Sequence, residues 1–418
     1  MRLSKADSPV DFLRSRRRGK FGVGRELNDQ LLDGGASPGL AQAIYLDHQA
    51  TTPVDPRVSQ VILSTMTEQF GNPNSVDHSF GGEAARIIDG AVGAIADLVG
   101  AGPGDVRLTG SATEALRLVI GLEMNFAQGP FGVAASRIEH PAVIDLLNAA
   151  ERKGYLSVDW IDCDGDALVP LQAVMTALER RPALLFLMAA NNEVGTLQPT
   201  VEAAALARAA GAAIVVDASQ AAGRILLDTD AAGFDYMILS SHKLYGPKGA
   251  GALIGPGLRD VASPFPLEAH APTPNTPAIA GFGEACRLRR LEMTADEPRI
   301  AALRDRLADR LASLEPGMTV NGALNPRLAC NLHVSFEGAP NDQVIAQLRN
   351  TVAVSTGAAC ASGADAPSHV LSAMGLPSWR QQTALRIGVG KFTTAAEIDR
   401  AAEMIATAVQ LVRKRAHR

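Results

Sequence analysis

The sequence predicts an α/β protein with a larger domain on a largely parallel sheet and a smaller α+β domain after it. Three observations carry this. From about Ile44 onward, short β-rich apolar runs alternate with Ala-rich helical stretches. Several of these runs are apolar at consecutive positions, the pattern of strands buried on both faces. A stretch with five prolines, "SPFPLEAHAPTPNTPAIAG" (263–281), then marks a shift in composition.

The elements follow in order. "VRLTG" (106–110) reads as a strand leading to a helix from about Ala112, and "GVAASRI" (132–138) as a strand followed by a helix after "EHPA". "ALLFLMAA" (183–190), "AAIVVDA" (212–218) and "YMILSS" (236–241) read as buried strands, with "VEAAALARAAG" (201–211) as a helix between them. The proline-rich stretch reads as the exit from the larger domain. Beyond it come a charged helix over 297–315, a strand in "LACNLHVSF" (328–336), a small-residue loop around Cys360, "ALRIGVG" (384–390) and a C-terminal helix. The expected division is a partly disordered extension over 1–43, a large domain over 44–275 and a small domain over 276–418.

Composition narrows the function. The 418 residues are 47% apolar and 20% charged, with a net charge of −5. That balance argues against nucleic acid or an anionic membrane surface as the main partner. The apolar runs fall short of the ~20 residues a membrane-spanning helix needs. The four cysteines, Cys163, Cys286, Cys330 and Cys360, are widely spaced. No zinc-ligand pattern or disulfide framework emerges, and a reducing cytoplasm fits best. Near the start, "RSRRRGK" (14–20) is strongly basic but flanked by Asp7, Asp11, Glu26, Asp29 and Asp33. It has neither the apolar core of a secretory signal nor the acid-poor character of a transit peptide. It reads as a solvated, partly disordered extension or a short surface helix, or alternatively as a docking arm for an acidic partner.

Two segments carry the chemistry. "VVDASQAAG" (215–223) puts Asp217 at the end of an apolar run, and "LSSHKLYGPKGAGAL" (239–253) puts Lys243 just past the next one. Ligands of such sheets bind beyond the carboxyl ends of strands. A lysine and a carboxylate placed there suit pyridoxal phosphate: the amine holds the aldehyde, and the carboxylate keeps the ring nitrogen protonated. The alternative is a surface lysine in a Gly-rich turn. "GPKGAG" lacks the spacing of a nucleotide phosphate loop. "TGSATEAL" (109–116) reads either as a phosphate cradle at a helix start or as a plain N-cap with an acidic first turn. Cys360 sits in "STGAACASG" (355–363), either a small residue in a loop or a mobile nucleophile.

Taken together these segments resemble the class V aminotransferase branch of the fold type I pyridoxal phosphate enzymes, most closely the cysteine desulfurases of the longer-loop branch. The matching pieces appear in family order: "YLDHQATTPVDPRV" (45–58), "FGNPNSVDHSFG" (70–81), "TGSATEA" (109–115), "EHPAV" (139–143), "NNEVGTLQP" (191–199), "VDASQAAG" (216–223), "SSHKLYGPKGAGAL" (240–253), "STGAACASG" (355–363) and "RIGVGKFTTAAEID" (386–399). The resemblance implies a mostly parallel seven-stranded sheet, a homodimer and sulfur transfer from L-cysteine. It makes Lys243 the cofactor-bearing lysine, Asp217 the partner of the ring nitrogen and Gln220 the partner of the phenolic oxygen. It makes His140 the stacked histidine that helps move protons. Ala112, Thr113, Ser240, Ser241 and His242 fall among the cofactor and phosphate ligands. Asn192 falls near both cofactor and substrate carboxylate, and Arg386 is the fork for that carboxylate. Cys360 becomes the nucleophile that takes sulfur as a persulfide. It would hand that sulfur to a scaffold or acceptor protein in iron–sulfur cluster or thio-cofactor synthesis. The other three cysteines read as structural: Cys163 after a strand, Cys286 on a helix and Cys330 in a strand.

Two departures stand out. The family's Gly-rich segment ending in Arg-x-Gly-Thr is compressed here to "EAHAPTPNTPAIAGFGEA" (268–285), where Thr276 stands in for the threonine that reaches the neighbouring subunit's phosphate. Ser241 replaces the usual glycine before His242. Two alternatives follow. A related class V lyase or aminotransferase would have no use for Cys360. A degenerate cofactor-binding partner subunit fits the compressed segment but not the intact Lys243, Asp217, His140, Cys360 and Arg386.

Overall fold

The apolar runs become strands wherever they alternate between two buried faces, and the chain turns where they end. A computed structural model describes residues 43–127, 129–265, 273–357 and 368–416. The extension expected over 1–43, apart from its last residue, and Cys360 with its loop lie outside the described residues. So does the beginning of the compressed segment, 268–272.

Among the described residues the strands are β1 (Ile44–Tyr45), β2 (Val106–Thr109), β3 (Phe131–Ser136), β4 (Leu156–Ile161), β5 (Leu184–Phe186), β6 (Ala213–Asp217), β7 (Tyr236–Ser240), β8 (Gly251–Ile254), β9 (Met318–Val320), β10 (Asn331–Phe336), β11 (Val352–Ala353) and β12 (Ala384–Gly388). Seven form one sheet in the order β2-β8-β7-β6-β5-β3-β4. β8 is antiparallel to both neighbours, and the other pairings are parallel. The ends of β2, β3, β5, β6 and β7 therefore share one edge with the start of β8.

Successive residues of a strand enter opposite cores, as the two-residue period requires. Ala134, Leu185, Ile214, Val216, Met237 and Leu239 belong to one core. Val133, Ala135, Leu184, Phe186, Val215 and Ile238 belong to the other. With both faces covered, no polar alternation survives in the sequence. The run 183–190 goes further than its strand. β5 stops at Phe186, and Leu187–Ala190 stay buried on the way to a turn. Leu187 and Ala189 still donate to Val215 O and Asp217 O at 3.1 and 2.9 Å, and Ala190 makes an isolated bridge to Leu197.

A second sheet has the order β12-β10-β9, antiparallel throughout. β1 pairs with β11, and Asp47 bridges Gly388. The first described residues thus lie beside the C-terminal strands. Everything described from Ile44 onward belongs to one compact unit. Cys330 precedes β10 instead of lying in it.

The helix expected from 297 is longer: it begins at Thr276 and runs to Leu314. The Asn275 side chain accepts the Ala278 N–H at 3.2 Å, and Pro277 stands in the first turn, where a missing N–H costs nothing. The small residues of the first half permit close packing. A Cβ on Gly283 would lie 2.5 Å from Ala91 Cα, and one on Gly281 would lie 2.7 Å from Ile62. Pro298 sits inside the helix, which Ile300, Leu307 and Leu311 hold to the core on its far side. Pro274 and Pro277 flank the start of this helix.

Candidate active site

A cavity of about 380 Å³ opens at the shared strand edge. The turn after β2 supplies Gly110, Ser111, Ala112 and Thr113, and the turn after β3 supplies His140. Asn192 follows β5, Asp217 and Gln220 come from the end of β6, and Ser240, His242 and Lys243 come from the end of β7.

The β2 turn forms the N-cap that was one of its two readings. Ser111 caps the helix Ala112–Phe126: its Oγ accepts the Glu114 N–H at 3.1 Å. Glu114 reaches back to accept the Gly110 N–H at 2.8 Å. Ala112 and Thr113 nevertheless line the cavity, at the end of a helix dipole that favours an anion. Gly251 makes this approach possible, because a Cβ there would lie 2.9 Å from both Leu239 O and Ser111 C.

Lys243 closes a 3-10 turn after β7. Its Nζ donates to Gln49 O at 2.6 Å and to Ala50 O at 2.8 Å. Neighbouring His242 places Nδ1 3.1 Å from Thr51 Oγ1. Burial, with Lys243 and Lys248 nearby, pulls the His242 pKa down to about 4, so its ring is neutral near neutral pH. Ser241 is fully buried but turns toward Gly246, where a Cβ would lie 2.1 Å from its Oγ. It is not among the lining residues.

Asp217 Oδ1 accepts the Ser219 N–H at 2.9 Å. Gln220 donates through Nε2 to Gln49 O at 3.0 Å, and its Oε1 is buried without a partner. Asn192 Oδ1 is likewise buried and unpartnered. Asn191 fixes this turn by accepting the N–H groups of Glu193 and Val194 at 2.9 and 3.0 Å. His140 caps the helix Pro141–Arg152, its Nδ1 accepting the Ala142 N–H at 3.1 Å. Burial lowers its pKa, with Asp217 opposing and Lys243 reinforcing the shift.

Arg386 and Thr276 stand apart from the cavity lining. Arg386, on β12, donates through Nη1 to Asn192 O at 3.0 Å and through Nη2 to Asp47 Oδ1 at 2.9 Å. It therefore abuts the turn that carries Asn192. Thr276 lines a separate hollow of about 310 Å³ with Met66, Phe70 and Asn72. Burial raises the thiol pKa of Cys163 to about 11 and pushes Cys286 and Cys330 up as well, so all three are poor nucleophiles.

Several residues of this neighbourhood had no role assigned from the sequence. Glu139 is fully buried, accepts Ser136 Oγ at 2.7 Å and Met188 N at 2.8 Å, and is pushed up to about 8 by burial. Glu193, also raised by burial, accepts Ser368 Oγ at 2.5 Å. Asp47, Gln49 and Ala50 lie in "YLDHQATT", a motif the sequence made visible. Their parts depend on two carbonyls and one long-range ion pair, which residue type does not announce.

Comparison with known proteins agrees with this layout. Residues 44–401 match the family model described as aminotransferase class-V. The cysteine desulfurase IscS of Anaeromyxobacter sp. strain Fw109-5 is 37% identical over 379 residues, covering 89% of this chain and 93% of that protein. A solved NifS-like protein superposes with a TM-score of 0.81 at 28% identity, covering 88% of this chain and all of that one (100%). A structure described as SspA in complex with cysteine gives a TM-score of 0.72 at 27% identity, covering 84% and 100% of the two chains. Among the described residues no helix is long and apolar enough to cross a membrane.

Proposed function

This chain belongs to the class-V aminotransferase family and, within it, to the cysteine desulfurases, and from that premise we propose that it uses pyridoxal phosphate at Lys243 to convert L-cysteine to L-alanine, leaving a persulfide on Cys360. The observation that carries the reading is a strand-end lysine and a strand-end carboxylate in one cavity, beside the start of a long helix. A related protein solved with cysteine supports that amino acid as substrate.

The residues fit the cofactor. Asn192 and Gln220 each bring a buried, unpartnered amide oxygen, and the helix start brings N–H groups. Ala112, Thr113, Ser240 and His242 would hold the phosphate, Asp217 the ring nitrogen, and Gln220 and Asn192 the oxygen-bearing side. When bound, the cofactor supplies an electron sink for the charge left after proton removal.

The chain's own groups do the rest. Lys243 Nζ is held by two carbonyls and is placed to take a proton from the substrate. Neutral His140 carries its proton on Nε2, since Nδ1 is occupied by the helix cap. Arg386 receives the substrate carboxylate. The Cys360 thiolate attacks the substrate sulfur: a sulfur–sulfur bond forms and the carbon–sulfur bond breaks, its electron pair staying with carbon to be protonated. L-Cysteine and a thiol thus become L-alanine and a persulfide, with no outside oxidant. A scaffold or acceptor protein then takes the outer sulfur for iron–sulfur cluster or thio-cofactor synthesis.

We extend the proposal to a cytoplasmic homodimer, with a large domain ending near 275 and a small one from 276. Exposed Leu63, Met66, Phe70 and Phe80 support a self-association face near Thr276. From that face Thr276 would reach the partner's phosphate.

The test is direct. Purified protein supplied with pyridoxal phosphate should show the yellow absorbance of lysine-bound cofactor and release alanine and sulfide from L-cysteine. Lys243→Ala should lose both. Cys360→Ser should keep the colour and lose sulfide. Unchanged sulfide in Cys360→Ser would remove the persulfide route, and no colour in the parent protein would favour a degenerate partner subunit.

A further inference from the structure

Two arginine side chains show how one edge can be used fully on a carboxylate. Arg57 donates to Asp55 through Nε at 3.0 Å and Nη2 at 2.8 Å. Arg306 does the same to Asp399 at 2.8 and 2.7 Å. Arg386 does not. Its Nη2 meets Asp47 Oδ1 at 2.9 Å, while its Nε is buried with no partner. Nη1 is already committed to Asn192 O at 3.0 Å and to Gly357 O at 3.5 Å. The guanidinium side chain is 5% exposed and Asp47 is 19% exposed, so water screens the pair only in part. Ser355 Oγ donates to the same Asp47 oxygen at 3.2 Å and steadies it.

Nε–H and Nη2 form the side-on fork that a carboxylate prefers. The open Nε is therefore half of a receptor whose other half Asp47 touches. We infer that Asp47 is a specificity-tuning counter-ion that competes with the substrate and product carboxylate for Arg386 and so keeps that grip weak. This rests on the reading of Arg386 as the carboxylate receptor. An arriving carboxylate finds a cation already neutralised, and two like charges beside one guanidinium repel each other. L-Alanine carries the same carboxylate as L-cysteine, so a weak grip also lets the product leave. The remaining contacts of Arg386, to two carbonyls, keep the side chain in place whatever Asp47 does.

The experiment uses the cofactor-loaded full chain and isothermal titration calorimetry with L-alanine and with L-alaninamide, which lacks the carboxylate. Asp47→Asn preserves size and an acceptor for Nη2 but removes the charge. Its dissociation constant for L-alanine should fall about tenfold, the change expected when one opposing charge is removed. Its affinity for L-alaninamide should stay within about twofold of the parent, and KM for L-cysteine should fall with no rise in kcat. Ser355→Ala, which keeps the charge, should not tighten L-alanine. A merely structural Asp47 predicts the opposite sign, because a displaced Arg386 would weaken L-alanine. Unchanged or weaker L-alanine binding by a cofactor-loaded Asp47→Asn overturns the inference, as does equal tightening of L-alaninamide. Arg386→Met separates the two layers. If it binds L-alanine as the parent does, the reading of Arg386 fails. If it loses L-alanine while Asp47→Asn does not gain it, only the competition fails. Should Asp47→Asn not fold, Asp47→Ser is held to the same criteria.

Discussion

His140 Nδ1 accepts the backbone N–H of Ala142 at 3.1 Å, so one imidazole both starts a helix and lines the cavity. The cap settles the tautomer: with Nδ1 accepting, the neutral ring bears its proton on Nε2. Burial lowers its pKa and keeps this neutral form in place near neutral pH.

The two roles come apart on mutation. His140→Asn retains a capping side chain, and its unfolding free energy should stay within ~0.5 kcal/mol of the parent, while His140→Ala should lose about 1 kcal/mol. Both should slow alanine formation by on the order of a hundredfold, the usual contribution of a positioned proton carrier. Urea denaturation and an alanine assay read the two effects separately. Full activity in His140→Asn would leave the histidine a cap and nothing more.

Glu139 sets a pH dependence of stability. Burial lifts its carboxyl to about 8, against the hydrogen bonds from Ser136 and Met188. The unfolded chain releases this proton near the ordinary ~4.3, so between that value and about 8 the folded state binds the extra proton. Its contribution is fully present below the unfolded pKa and is lost as pH rises through the folded one. Glu139→Gln removes the titration. Urea midpoints taken at several pH values across this window should show the parent losing stability relative to the variant as pH rises. Parallel curves would refute the assignment.

Gly251 keeps open the end of the cavity proposed for the phosphate by having no side chain. An added methyl would meet Leu239 O and Ser111 C at 2.9 Å, so β8 or the helix start must move. Gly251→Ala should cost about 1–3 kcal/mol of stability, as overpacking does. It should also weaken cofactor binding about tenfold through the displaced N–H groups at Ala112 and Thr113. Thermal unfolding and an absorbance titration with pyridoxal phosphate measure the pair. Unchanged cofactor affinity would separate this helix start from the phosphate.

Legibility varied with the kind of interaction. Asp217 and Lys243 could be paired from the sequence because each follows an apolar run, and parallel strands deliver their ends to one edge. The carbonyls of Gln49 and Ala50 that hold Lys243 could not, since any residue type has a carbonyl. The helix start at Thr276 was hidden in a proline-rich stretch. Composition reads proline as a breaker, while one specific position in the first turn accepts it.

By itself the sequence determined the α/β layering, the strand-end placement of the chemistry and the motifs that mark the family. Those follow from periodicity and residue type, which are local. Only the tertiary structure decided that His140 is held in one tautomer, that Glu139 is buried enough to keep its proton near neutral pH, and that Arg386 shares its fork with Asp47 across the chain. These depend on which groups lose water and which distant atoms take its place. Folding sets that local dielectric and those partners, and no short stretch of residues encodes them.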